Sequence, residues 1–206
     1  MSSTFAVDIF VEDRAHEAFL VPMLQRIARD ENIVVSPRVR SAWGGHGRAV
    51  AELKLYQRVV EKGAPGFAPP DLLIAGIDGN CLTFAKAKKV IQEATNAPFS
   101  DRLVVACPDP HVERWYLADP DSFKEVVGHR PTVAKKKKCL RDYYKAALAS
   151  VVRKAGHPAM LGGIEFAQEL VERMDLYRAG KNERSLKAFV DDLRGKLRTL
   201  GQGEGG

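Results

Sequence analysis

Apolar residues recur along this chain in two rhythms, and the change between them divides it. Phe5-Ala6-Val7-Asp8-Ile9-Phe10-Val11, Leu72-Leu73-Ile74-Ala75-Gly76-Ile77 and Leu103-Val104-Val105-Ala106-Cys107 are short, nearly continuous apolar runs closed by polar turns. Their length and bounding turns mark them as buried strands. Ile33-Val34-Val35, reaching toward Val39, reads as a further strand. Between the strands, Phe19, Leu20, Met23, Leu24, Ile27 and Ala28 repeat at helical spacing and predict an amphipathic helix over 15–30. Further helices are predicted over 48–62, 82–96 and near 111–118. Strands that alternate with helices imply βαβ units, so the expected class is α/β with a mainly parallel sheet flanked by helices.

After Pro120 the strand rhythm stops. Residues 121–127, 134–155, 162–176 and 184–199 read as helices, with Gly156-His157-Pro158 and Ala179-Gly180 as breaks. Val190, Leu193 and Leu197 recur at core-facing spacing in the last of them. The expected organisation is an α/β domain over 1–120 and a helical extension over 121–200, packed on that domain or on a partner. A disordered tail is expected over 201–206.

Composition narrows the class. The chain has 206 residues, 45% hydrophobic and 28% charged, which describes a soluble globular protein with room for a proper core. No apolar run reaches membrane-spanning length, and the N-terminus lacks a signal-peptide pattern, so a cytoplasmic address is expected. Cys81, Cys107 and Cys139 are widely spaced and form no CxxC pair. That argues against a zinc knuckle or a disulfide framework, and for reduced thiols. The net charge of +6 favours an anionic partner, nucleic acid first. The excess is concentrated in Lys135-Lys136-Lys137-Lys138 with Arg141 and Lys145, and in Lys86, Lys88 and Lys89.

Chemistry enters through three acids. Glu12, Asp78 and Glu113 each follow a predicted strand. In an open parallel sheet ligands bind outside the carboxyl ends of the strands, so these acids are expected to converge there. Carboxylates that close repel by roughly 4 kcal/mol per pair at 4 Å and an effective dielectric near 20. Such a cluster holds protons or a hard cation, and Mg²⁺ or Mn²⁺ suits an oxygen-rich shell. Each acid also has a bland reading. Glu12 could cap the next helix, Glu17 is a first-turn glutamate favoured by the helix dipole, and Asp78-Gly79-Asn80 makes an ordinary turn with Asn80 as a cap. Gly44-Gly45-His46-Gly47 could offer backbone N–H groups to a phosphate, with His46 beside a leaving group, but it lacks the Gly-Lys-Ser/Thr ending of a nucleotide loop. Serine-hydrolase, zincin and dinucleotide motifs do not occur.

Val11-Glu12-Asp13-Arg14-Ala15-His16-Glu17-Ala18-Phe19-Leu20 resembles the opening of a TOPRIM domain. Ile77-Asp78-Gly79-Asn80 stands where that fold keeps its Asp-x-Asp pair, with Asn80 in place of the second Asp. The segment from Pro108 to Asp119 resembles one found in small stand-alone TOPRIM-like relatives of the OLD nucleases. The resemblance implies a Mg²⁺- or Mn²⁺-dependent endonuclease with Glu12, Asp78 and Glu113 as catalytic residues. It adds Asn80 and Glu17 to the metal shell and makes Glu12 a general base or ligand. His16 stands where the family often has an acid. Phosphate contacts are expected from Gly45, His46, Lys136, Lys137 and Lys138. The implied partners are nucleic acid, with DNA ahead of RNA, and a separate ATPase subunit in defence against phage or plasmid DNA. A homo-oligomer is compatible with the pattern. The alternative is a TOPRIM-fold binding or scaffold subunit with weak chemistry, which Asn80 and His16 favour. A receiver-like phosphotransferase is a third reading.

Overall fold

The structure is a computed structural model that describes residues 4–40, 44–132, 136–140 and 142–203. Trp43, Lys135, Arg141 and the end of the tail lie outside the described residues. The order is β1 (Thr4–Val11), α1 (Arg14–Asp30), β2 (Val34–Val39), α2 (His46–Glu61), β3 (Leu72–Gly76), α3 (Phe84–Glu93), α4 (Ala97–Ser100), β4 (Leu103–Ala106) and α5 (Glu113–Tyr116). It continues with α6 (Pro120–Val127), α7 (Tyr143–Lys154), a 3₁₀ turn (Ile164–Phe166), α8 (Ala167–Arg173), α9 (Leu176–Asn182) and α10 (Arg184–Gln202).

The strands form one all-parallel sheet in the order β2-β1-β3-β4. The architecture is α/β, as the alternating pattern requires, and it is consistent with a TOPRIM-like fold. Pro37 pairs opposite Val7 in β2, an edge strand, where a missing N–H does least harm. The chain steps from β1 to β2 on one side and then crosses back past β1 to β3. The crevice between the carboxyl ends of β1 and β3 is therefore the point where strand order reverses, the usual place for a ligand. Val11 is level with Gly76, and Gly76 with Ala106, so the segments carrying Glu12, Asp78 and Glu113 leave the sheet at one edge.

Strand alternation sends side chains to two faces. Val7, Ile9, Ile74 and Val104 face α1 through Phe19, Leu20 and Met23, and the same core takes in Phe123, Leu148, Leu170, Phe189 and Leu193 from the later helices. Phe10, Leu73, Ala75 and Val105 face Leu53, Tyr56 and Val60 of α2 with Ile91 of α3. The helices after Pro120 thus share one core with the sheet.

Several local expectations are corrected. The helix predicted over 134–155 starts only at Tyr143, because Cys139 (φ 60°) and Asp142 (φ 61°) are left-handed and interrupt it. Ala179-Gly180 does not break the chain but lies inside α9. A Cβ on Gly180 would stand 3.1 Å from Lys187 Cβ, so this glycine permits the close approach of α9 and α10. Gly201 and Gln202, expected in the tail, belong to α10, where Gly201 fits against Ile33. Cys81 and Cys139, expected as reduced thiols, are joined in a disulfide across 58 residues of sequence, and Cys107 is a buried free thiol. Folding brings these two sulfurs together, and their spacing alone carries no sign of it.

Candidate metal centre

The short helix α5 shows how the fold builds this site. All its residues are buried, and each goes a different way. Trp115 stacks on Phe189 of α10 at 5.5 Å and donates Nε1–H to Ser185 Oγ at 3.0 Å. Tyr116 donates its hydroxyl to Ala15 O in α1 at 2.7 Å. Arg114 pairs with the buried Glu183. With that one turn pinned from three sides, Glu113 is held at the carboxyl edge of the sheet. Truncating a buried tryptophan such as Trp115 costs about 3–5 kcal/mol, so the helical extension is part of the site's support.

Asp78 lies just beyond β3 and is 8% exposed. Its Oδ1 accepts from Val112 N at 2.9 Å and lies 3.2 Å from His16 Nε2. Its Oδ2 lies 2.6 Å from His111 Nδ1. The loop is fixed by Gly79 N donating to Pro108 O and Asn80 N to Pro110 O, both at 2.8 Å. A Cβ on Gly79 would stand 2.8 Å from Pro108 O, so the close approach of the two loops needs glycine here. The Asp109–Pro110 peptide, just before His111, is cis.

From β1, Glu12 Oε2 accepts from Asp78 N at 3.0 Å. Asp13 caps α1, accepting from Ala15 N at 3.0 Å and His16 N at 3.1 Å. The same oxygen holds His16 Nδ1 at 2.9 Å, which orients the fully buried ring toward Asp78. Lys145 Nζ lies 3.5 Å from the other Asp13 oxygen.

Burial opposes charge throughout, and the neighbours decide which charges survive. Burial works against the His16 imidazolium, but the Asp78 charge and the bonds to Asp13 and Asp78 hold its pKa well above the ordinary value. His111 is raised in the same way, chiefly by its bond to Asp78. Burial would raise Asp78, yet the charge of His16 and the bond from His111 hold it down. Glu113 is the exception. Burial, with the Asp78 charge beside it, pushes its carboxyl up to about 7. Its Oε2 is buried with no hydrogen-bond partner, and so is His111 Nε2. Ligand atoms of Asp78, His111 and Glu113 all lie within 4.8 Å of one another. A carboxylate on one imidazole nitrogen, with the other nitrogen left bare, is the arrangement that orients metal-binding histidines.

The expected site residues divide. Asp78 and Glu113 come together, and Glu12 joins them through the Asp78 backbone rather than through the 4.8 Å cluster. Gly45 ends beside Glu12, with its notional Cβ 3.9 Å from Glu12 Oε1, and leads into the first residue of α2, His46. Asn80 is exposed, its Oδ1 near Cys81 Sγ at 3.8 Å, and Glu17 lies in the first turn of α1 outside the cluster. Lys138 pairs with Asp109 at 2.8 Å and also donates to Leu82 O at 2.8 Å. Lys136 lies 3.3 Å from Asp109 and 3.4 Å from Glu183. Lys137 places its ammonium over the Tyr143 ring. Sequence reasoning missed His111 as a participant and read His16 only as a departure from a pattern. The His-x-Glu spacing of His111 and Glu113 after Pro110 was the signal available.

The fold and this cluster define a parallel α/β protein with an acid–histidine centre at the sheet's switch point. The chain belongs to the family described as Domain of unknown function (DUF4276), which matches residues 11–194 and so covers sheet and helical extension together. No curated protein and no solved structure matches it.

Proposed function

We propose that the chain is a metal-dependent nuclease that hydrolyses nucleic-acid phosphodiesters at the Asp78–His111–Glu113 centre. The observation that carries this reading is the meeting of those three side chains with Glu113 Oε2 and His111 Nε2 buried and unbonded. An imidazole beside carboxylates suits Mn²⁺ better than Mg²⁺. Bound there, a divalent cation would supply Lewis-acid stabilisation of developing phosphoryl charge. Asp78 fixes the His111 ring, and Glu113 would hold the cation beside it. Lys145 beside Asp13, with Lys136 and Lys138 at Asp109, puts positive charge next to the centre, which favours a polyanionic backbone over a neutral substrate. Among the described residues no helix is long and apolar enough to cross a membrane. Action on intracellular nucleic acid, DNA ahead of RNA, belongs to this reading, and a reducing cytoplasm would open the Cys81–Cys139 bond. An ATPase partner and a defence role rest on the TOPRIM resemblance alone.

A second reading has its own observation. Asp78 already accepts from Val112 N and has His16 and His111 at ion-pair distance, so its charge is balanced with no cation present. That favours a nucleic-acid-binding module in which the centre is an internal ion network. Plasmid nicking with Mn²⁺, together with Mn²⁺ titration calorimetry, separates the two. Nicking and a saturable Mn²⁺ isotherm, both lost in Asp78→Ala, are the expected result. Binding of DNA without Mn²⁺ uptake or cleavage would leave the module.

A further inference from the structure

Beside the metal centre lies a cavity of about 210 Å³, walled by Arg114, Leu117, Tyr143, Tyr144, Ala147 and Glu183. Nothing in the proposed chemistry uses it. Its composition is unusual for a packing defect, because it combines two tyrosines and a guanidinium with a carboxylate that is 1% exposed. Arg114 occupies only one oxygen of that carboxylate, Glu183 Oε1, through Nε at 2.7 Å and a second guanidinium nitrogen. Glu183 Oε2 is buried and has no hydrogen-bond partner, and Lys136 Nζ stands 3.4 Å from it. Lys136 balances the charge of that oxygen without hydrogen-bonding it, so a ligand that supplies an N–H donor of good geometry gains there.

The geometry points to a nucleobase pocket that holds one unstacked, amino-bearing base (adenine, cytosine or guanine) of the nucleic acid. This rests on the reading that the chain acts on nucleic acid, and it names the part of the substrate recognised. The cavity falls below the roughly 300–1,000 Å³ of sites for drug-sized ligands, so it suits a single heterocycle with sugar and phosphate left outside. Aromatic rings and an Arg plane are the surfaces on which single bases stack. Tyr143 and Tyr144 meet edge to face at 4.9 Å, and the Arg114 guanidinium lies over the Tyr144 ring at 5.4 Å. Tyr144 also touches the metal centre, its ring 5.8 Å from that of His111, so a base beside Tyr144 would leave its phosphate near the acids. Glu183 Oε2 accepts from an exocyclic amino group, which uracil and thymine lack; their one ring N–H is flanked on both sides by carbonyl oxygens that a carboxylate repels.

The test is calorimetric titration of the metal-free full chain with the 5′-monophosphates of adenosine, cytidine, guanosine and uridine. The amino-bearing nucleotides should bind at least about tenfold more tightly than the uridine one, the discrimination expected of one charge-assisted hydrogen bond. Ala147→Phe, which fills the cavity, should abolish the preference while leaving Mn²⁺ binding as in the parent. Glu183→Gln should close the gap between the nucleotides. Where Ala147→Phe fails to fold, Tyr143→Ala replaces it with the same expected loss. Equal affinity for all four nucleotides, or a preference that survives the filled cavity, overturns the proposal. No metal or phosphodiester is present in these titrations. A protein that discriminates bases yet never cleaves sinks the nuclease reading alone, and one that cleaves without discriminating sinks the pocket alone.

Discussion

Asp8 and Asp78 are both buried acids carried by or next to a central strand, at 0% and 8% exposure, yet they are built to opposite ends. Asp8 sits in the middle of β1 facing α2. Its Oδ1 accepts from Arg38 Nε at 2.5 Å and its Oδ2 from the Tyr56 hydroxyl. Arginine does not give up its proton, and burial together with Asp8 pushes the Tyr56 phenol higher still. Neither counter-group can be traded for a cation. Asp78, at the strand's carboxyl edge, is balanced by two histidines, and imidazolium protons can be exchanged for a cation. Burial of an acid does not distinguish a structural charge from a reactive one. The chemistry of its counter-charge does.

The sharpest way to break this contrast is to remove each acid in turn. Asp78→Ala should cost Mn²⁺ affinity and nicking about a hundredfold or more, with little change in denaturant midpoint, because His16 and His111 can shed their protons when the anion goes. Asp8→Ala should do the reverse. Arg38 keeps its charge and Tyr56 loses its acceptor; with Arg38 about a third exposed and screened, the change should cost about 2 kcal/mol of stability, with the Mn²⁺ isotherm unchanged. Calorimetric titration and urea unfolding of both variants read the two columns. Equal stability losses would erase the distinction.

Glu113 gives a pH-dependent version. Its native carboxyl titrates at about 7 against an ordinary 4.5, so the native state holds that proton more tightly than the unfolded chain. Native stability from this group is greatest below the ordinary value, falls as pH rises toward 7, and is level above it. Glu113→Gln has no such titration. Its stability relative to the parent, in the absence of metal, should therefore improve by about 2 kcal/mol between pH 5 and pH 8. Metal binding in the parent runs the other way. Mn²⁺ must displace protons from Glu113 and His111, so affinity rises with pH by about tenfold per unit for each proton released. Glu113→Gln should remove about one proton from that slope, read from titrations in buffers of different ionisation heat.

The Asp78 side of this contrast was legible in the sequence, and the Asp8 side was not, for definable reasons. Runs such as Leu103–Ala106 disclosed strands, and their alternation with helices disclosed a parallel sheet, so acids after strands could be placed at one edge. The histidines could not. His16 lies by Asp78 with its ring tied to Asp13, three residues earlier, and His111 follows a loop whose Pro108 and Pro110 carbonyls accept from Gly79 N and Asn80 N. The lysine run was visible as charge, but not that Asp109 draws Lys136 and Lys138 to the site. The Cys81–Cys139 bond joins positions 58 residues apart, and no local pattern announces their approach. Gly180 shows the local version. A glycine that reads as a breaker was required by a neighbouring helix instead.

Asp119 extends the comparison to an acid between the two types. It opens α6 and is 2% exposed, accepting from Ser122 Oγ at 2.6 Å, Asp175 N at 2.8 Å and Arg178 at 3.1 and 3.2 Å. Burial would raise its carboxyl, but the bonds from Arg178 and Ser122 hold it at about 2. Its counter-charge, like that of Asp8, cannot be released. Arg178 is 46% exposed, somewhat more than Arg38 at 35%, so the pair is screened and its full titration energy should not appear. A depressed carboxyl contributes stability above the unfolded value, and that contribution is lost as pH falls through the native one. Between pH 4 and pH 2 the parent should lose about 1 kcal/mol that Asp119→Asn does not, measured by urea unfolding at each pH. The variant should be the less stable of the two at pH 7 by a similar amount, with no effect on Mn²⁺ uptake. A pH-independent difference between parent and variant would mean that Asp119 acts through its neutral hydrogen bonds alone. Asp119 would then no longer belong with Asp8 as a closed charge.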